Sequence, residues 1–266
     1  MNSNIPIITL TTDFGLADHY VAVIKANLLK QIPQAQIVDI THLVPPHDIV
    51  KAAFLLKNAF QSFPNNTIHV VSVNNDRSGE SSLLLARVED QFFVLPDNGI
   101  LSLLFSQELD QVYRIPKISG EQNTIQNIYA TVCRHLVEEG QLEDIGQQVK
   151  EFEQRITLKP VISTSQIRGL VIHIDHYENA IVNISKSLFE EVGHGRPFEI
   201  YFKRHDPIRL ISQHYQSVPV GDTLCLFNSA DQLEIAISMG KAASMLGLNV
   251  DDMIQIDFKN AVLEEE

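Results

Sequence analysis

The segment Thr11-Thr12-Asp13-Phe14-Gly15 follows an apolar run and puts a carboxylate where a strand would end. Open α/β sheets hold ligands in the crevice beyond the carboxyl ends of their strands. There Asp13 could accept from the two vicinal hydroxyls of a ribose, which suits a group with two acceptor oxygens and no donor. The competing assignment is a cap on the helix that begins near Asp18. The letters Asp-Phe-Gly also hold a metal in protein kinases, but there a whole lobe and a catalytic loop come first, whereas here only twelve residues do.

Histidines gather in ITHLVPPHD, Ile40 to Asp48. His42 reads as structural. His47 follows two prolines, precedes a helix cap, and is the one placed to line a pocket. In HVVSVNNDRSGESSLLL, His69 to Leu85, an alternating strand runs into a polar, glycine-bearing loop and becomes apolar again. Asp76 and Arg77 in that loop could supply a carboxylate and a guanidinium, or form a solvated ion pair of little energetic worth. In HIDHY, His173 and Asp175 share one face of a strand, with His176 alongside. Zinc needs three or four convergent ligands. The sequence places no more than these, so no metal site is expected and a metal-dependent hydrolase is the distant alternative. A glycine-rich phosphate loop, a G-x-S-x-G elbow and an H-E-x-x-H helix are all missing, which leaves ATPase, α/β-hydrolase and zinc-protease readings without support.

The elements that must position these residues follow from periodicity. Ile7 to Thr12, Ile37 to Thr41 and Ile68 to Val73 read as buried strands. Val21, Ile24, Leu28 and Ile32 recur at helical spacing up to Pro33; Ile49, Ala52, Ala53, Leu56 and Phe60 do so after an Asp48 cap. Strand and helix alternating in this way predict a mostly parallel α/β domain over residues 1–150. Further strands, LLLARV and FFVLPDNG, precede a helix near Ile128, Val132 and Leu136. A polar stretch ends the domain, with a linker over 151–160. Short strands with turn punctuation then predict a smaller β-rich, barrel-like domain over 161–266, including a helix stopped by Gly247.

A chain of 266 residues can bury a large core without staples, and Cys133 and Cys225 sit apart in apolar contexts, as reduced core thiols of a cytosolic protein do. The amino terminus lacks the features of a signal peptide, and no apolar run reaches membrane length. A net charge of -13 gives no basic stripe for a nucleic-acid backbone. A soluble, cytoplasmic protein with no nucleic-acid or membrane partner is expected.

Five segments, TLTTDFGLADHYVAVIKANLL, IVDITHLVPPHDIVKAAFLL, FFVLPDNGILS, IDHYENAIVNI and NSADQLEIAISMGKAA, resemble in order and spacing the S-adenosyl-L-methionine (SAM) hydrolases that form adenosine. That family also contains the SAM-dependent chlorinase and fluorinase. The resemblance implies an α/β domain, a β-barrel domain, and a homotrimer that binds SAM between the large domain of one subunit and the small domain of the next, with no cofactor. It assigns the ribose to Asp13, the methionine ammonium to Asp175, the adenine to Asn179 and the methionine end to Ser229. Asn98 lies in the turn that floors the site, and His47 stands where the halogenases have an aromatic residue.

The family reaction is substitution at the ribose C5′ by water or halide, with methionine leaving as a neutral thioether that needs no acid. An Asp, an Arg and a His handle the water in family hydrolases. Here the Asp position reads Asn74, the Arg position falls at Ser81 or Ser82, and the His position reads Thr124. An amide cannot take a proton, nor can a threonine act as a base near neutral pH. The sequence therefore predicts SAM or adenosine binding with hydrolysis weak or lost. The alternative is an active SAM hydrolase whose carboxylate and guanidinium come from Asp76 and Arg77.

Overall fold

Buried strands in α/β proteins read as continuous apolar runs because both sheet faces are covered. β1 (Ile7–Thr12), α1 (Tyr20–Gln31), β2 (Gln36–Thr41), α2 (Ile49–Lys57) and β3 (Ile68–Ser72) follow one another as the periodicity predicts. These come from a computed structural model that describes residues 5–75, 83–116 and 124–259. β4 (Leu83–Val88), β5 (Gln91–Pro96), α3 (Ile100–Leu104), β6 (Val112–Ile115), α4 (Ile125–Val137) and β7 (Gln147–Gln148) complete the first of two compact units, residues 1–157.

The strands of this unit lie in the order β2-β1-β3-β5-β4-β6-β7. β2, β1, β3 and β5 pair in parallel, whereas β4, β6 and β7 pair antiparallel. The change comes at Glu89 and Asp90, a two-residue hairpin turn with φ 50° and 59°, the backbone form whose twist matches the flanking strands. Alternate residues of each strand feed opposite faces. Val70 lies in one core with Ile24 and Leu28 of α1 and Tyr129 and Val132 of α4. Val71 lies in the other with Ala52 and Leu56 of α2 and Ile100 and Leu104 of α3. Each fully buried side chain of this size contributes about 1.5–3 kcal/mol. Both crossover layers thus fix the strand ends from which Asp13 and Asn74 project.

The polar stretch after β7 is bonded to this unit. Glu153 N–H donates to Asp97 Oδ1 at 2.8 Å and Arg155 N–H to Ser102 Oγ at 2.8 Å.

The second unit, residues 158–266, contains β8 (Val161–Ile162), β9 (Gln166–Ile174), β10 (Ala180–Ser185), α5 (Lys186–Gly193), β11 (Phe198–Phe202), β12 (Thr223–Phe227), β13 (Gln232–Ile237), α6 (Ala242–Leu246) and β14 (Met253–Phe258). Its antiparallel order is β11-β14-β9-β10-β13-β12, with β8 on β9. The segment 208–212 reaches both outer strands: Ile208 bridges Ile200 of β11 and Ile211 bridges Cys225 of β12. The sheet is rolled by these contacts around a core that includes Ile167, Val182, Ile235 and Ile256. Gly247 ends α6 in the left-handed conformation, φ 65°. Among the described residues no helix is long and apolar enough to cross a membrane.

Candidate functional site

Asp13 leaves β1 half-buried and does not cap α1, whose N-cap is His19 without a side-chain bond. Its Oδ2 instead accepts two backbone N–H groups, from His47 and from Asn74, each at 3.1 Å. Both donors have positive φ, 67° at His47 and 51° at Asn74. In this conformation the amides of two separate loops point inward to one carboxylate. The side chains meet as well, with His47 Nδ1 and Asn74 Oδ1 3.1 Å apart. Among the described residues Asp13 Oδ1 accepts no hydrogen bond, so its lone pairs are left for a ligand to use.

Below this cluster the strand ends are pinned by buried polar contacts. Thr12 Oγ1 lies 2.8 Å from Nδ1 of the buried His42, and His42 Nε2 lies 3.1 Å from Asp39 Oδ1, close but out of line for a hydrogen bond. Burial works against the charge of Asp39, but Lys25, at 2.6 Å, and His42 outweigh it and hold the carboxyl below its usual range. Asn98 Nδ2 donates to Val73 O at 3.0 Å and to Asn74 O at 3.4 Å, tying the PDNG turn to the loop that carries Asn74. Gly99 has φ 101°, and a Cβ there would meet Arg155 Cγ at 2.2 Å. Only glycine fits both constraints.

Thr124 is the N-cap of α4: its Oγ1 accepts from Asn127 N at 3.4 Å. Asp76, Arg77, Ser81 and Ser82 lie outside the described residues. The chain entering that segment is held at Asn75, whose Nδ2 donates to Ser72 Oγ at 2.5 Å and whose Oδ1 accepts from Tyr129 OH at 3.3 Å. Tyr129 was not legible as a site residue. Complete burial pushes its phenol up, and it also donates to Val71 O at 2.7 Å.

In the second unit, Asp175 directly follows β9 and Asn179 stands just before β10. Asn179 donates its backbone N–H to Asp175 Oδ1 at 2.8 Å and its Nδ2 to Oδ2 at 3.2 Å. Glu178, φ 65°, reaches α6 through Lys241 and the Ser244 hydroxyl. Ser229 is exposed in a turn organised by Asn228, whose Oδ1 accepts from Ala230 N at 3.0 Å and Gln232 N at 3.2 Å. Asn228 in turn donates Nδ2 to Glu234 Oε2 at 3.2 Å, and Tyr215 OH donates to Glu234 Oε1 at 2.8 Å. Burial and, secondarily, the charge of Asp175 push the Glu234 carboxyl up, against the pull of Tyr215 and Asn228. A lone carboxylate inside the apolar run of β13 was the sequence signal for it.

His173 lies on the buried face of β9, and among the described residues no group of three His, Cys, Asp or Glu side chains is gathered for a metal. Cys133 and Cys225 are buried free thiols. Burial raises both, Cys225 to about 12.

Comparison with known proteins adds a family to this geometry. Residues 8–146 match the SAM hydroxide adenosyltransferase N-terminal domain, and residues 169–255 match the C-terminal domain of the same name. The chain is 27% identical over 275 residues to an (R)-S-adenosyl-L-methionine hydrolase of Methanocaldococcus jannaschii, covering 94% of this chain and 95% of that protein. It is 29% identical over 254 residues to another of that name from Thermus thermophilus, covering 89% and 94%. Among solved structures, an uncharacterized conserved protein from Thermotoga maritima superposes with a TM-score of 0.84 at 29% identity, over 94% of this chain and 99% of that one.

Proposed function

We propose a function on one premise: the chain belongs to the SAM hydroxide adenosyltransferase family. It binds SAM and carries out the family reaction, SAM and water to adenosine and L-methionine, at a rate lowered by the replaced water-handling groups. One observation carries the binding half: Asp13 is fixed by two backbone amides on Oδ2, while Oδ1 accepts no hydrogen bond among the described residues. A preorganised acceptor loses little freedom on binding a ribose diol. Asn98 braces the floor of the site. Asp175 takes the ammonium of the methionine end, Asn179 the adenine, and the Ser229 hydroxyl meets the methionine end. His47 lines the pocket.

The name of the two relatives, (R)-S-adenosyl-L-methionine hydrolase, supports the substrate. The same reading places the protein in the cytoplasm as a homotrimer with SAM at a subunit boundary, using no cofactor and binding neither nucleic acid nor membrane. A second route, through Asp76 and Arg77, is an active hydrolase with a displaced carboxylate and guanidinium; Asp76→Asn would abolish its turnover. Equilibrium dialysis against SAM, followed by chromatography for adenosine, tests the reading. Saturable binding at one site per chain with slow adenosine formation is expected, and absence of binding would remove it.

A further inference from the structure

The hydrogen bond between His47 and Asn74 has a direction, and that direction leaves a base. Asn74 presents its amide oxygen to His47 Nδ1 at 3.1 Å. An amide oxygen only accepts, so Nδ1 carries the proton and Nε2 of the neutral ring keeps its lone pair. Among the described residues nothing hydrogen-bonds to Nε2, and the side chain is exposed.

The surrounding backbone is built to hold this pair. Both residues adopt positive φ, which for a non-glycine residue such as His47 costs on the order of 1 kcal/mol and marks a conformation that its surroundings impose. What imposes it is shared: each backbone N–H is bonded to Asp13 Oδ2. The imidazole therefore stands at the rim of the carboxylate that the proposed function gives to the ribose. The Asn74 amide oxygen fixes which ring nitrogen of His47 donates.

We propose that His47 is the proton acceptor for the attacking water, and that Asn74 is the positioning residue that keeps Nε2 free. The inference rests on the SAM-hydrolase reading above. In the step, the water oxygen bonds to C5′ of the ribose as the C5′–sulfur bond breaks. The electron pair of that bond goes to sulfur, which leaves as the neutral thioether of methionine. The water proton goes to His47 Nε2 and from the imidazolium to solvent. The amide at position 74 is then a working part in a different arrangement, and the loss of Asp, Arg and His from their family positions is met by one imidazole from the loop before α2.

The test measures SAM affinity and adenosine formation separately on the full-length chain. His47→Gln is expected to keep the dissociation constant within about threefold and to lower kcat about 100-fold or more, the usual range for a positioned base. In His47→Ala, added imidazole is expected to restore part of the lost rate. Asn74→Ala is expected to lower kcat about tenfold with KM unchanged, and nitrogen NMR of the wild-type ring is expected to show the proton on Nδ1. An unchanged kcat in His47→Gln, lost SAM affinity in that variant, a proton on Nε2, or bound SAM with no adenosine from the wild type would each overturn the assignment of the base. Failure of the wild type to bind SAM would instead overturn the functional reading itself.

Discussion

Asn74 donates its backbone N–H to Asp13 Oδ2 at 3.1 Å across 61 residues of chain, joining the end of β1 to the loop that follows β3. The bond makes the candidate sugar-binding carboxylate and the candidate chemical loop parts of one object. Removing the carboxylate should therefore do two things at once. A hydrogen bond to a charged group is worth about 1.5–3 kcal/mol, so Asp13→Ala is expected to weaken SAM binding roughly tenfold to a hundredfold in equilibrium dialysis. Adenosine formation at saturating SAM should fall too, because His47 and Asn74 lose their common anchor. An affinity equal to that of the wild type would place the ribose elsewhere.

Gly99 sets the turn that carries Asn98, at φ 101° and with Arg155 Cγ where a Cβ would go. Gly99→Ala meets both a backbone penalty of about 1–2 kcal/mol and a steric one. Urea unfolding is expected to show a loss of about 2–4 kcal/mol. Adding Arg155→Ala should return the steric part and leave the backbone part. A double variant no more stable than the single one would mean that Arg155 is not the obstacle.

His69 gives the first unit an acid sensitivity independent of the site. The ring is buried between Thr9 Oγ1 at 2.7 Å and Gln91 Oε1 at 2.8 Å and is stacked on Phe93. Burial, only partly offset by Gln91, brings it down to about 4. The unfolded chain binds a proton from about pH 6.5 downward, but the folded chain does so only near pH 4, so stability falls as pH drops through that window. The difference between about 6.5 and 4 corresponds to roughly 3 kcal/mol. Comparing unfolding at pH 7 and pH 4.5, His69→Gln is expected to lose about 2–3 kcal/mol less than the wild type. Parallel losses in the two proteins would acquit His69.

Glu234 joins Tyr215 to the turn that carries Ser229. Its truncation removes the acceptor of an exposed phenol and a half-buried amide, two hydrogen bonds worth about 0.5–1.5 kcal/mol each. Glu234→Ala is expected to lower stability by about 1–3 kcal/mol, read by denaturant unfolding, and to weaken SAM binding as the turn loosens. Retained stability with weakened binding would mean that Glu234 meets the ligand directly.

What could be read from the residues depended on whether the interaction leaves a trace in residue type. α1 and α2 were legible because Ile24, Leu28, Ala52 and Leu56 repeat at the helical period and all face a core. The Asp48 cap was legible for the same reason, and its side chain accepts from Lys51 N at 2.8 Å. The hairpin at Glu89 and Asp90 was not, since its positive φ angles fall on acidic residues where glycine or asparagine would announce them. The clamp on Asp13 was equally hidden, because its donors are backbone amides that every residue but proline possesses. Thr124 shows the opposite case: a residue weighed as a failed base spends its hydroxyl on a helix N-terminus. Glu234 left a plain sign, a carboxylate within LEIAI, whose meaning needed the positions of Tyr215 and Asn228.

The central claim is that this chain turns SAM over at the site built on Asp13. Its most direct test is a time course of adenosine formation from saturating SAM in oxygen-18 water, by wild type and Asp13→Ala in parallel. The account predicts slow, enzyme-dependent adenosine carrying the heavy oxygen at its 5′-hydroxyl from the wild type, and next to none from the variant. Equal rates from both proteins, or no adenosine from wild type saturated with SAM, would contradict it.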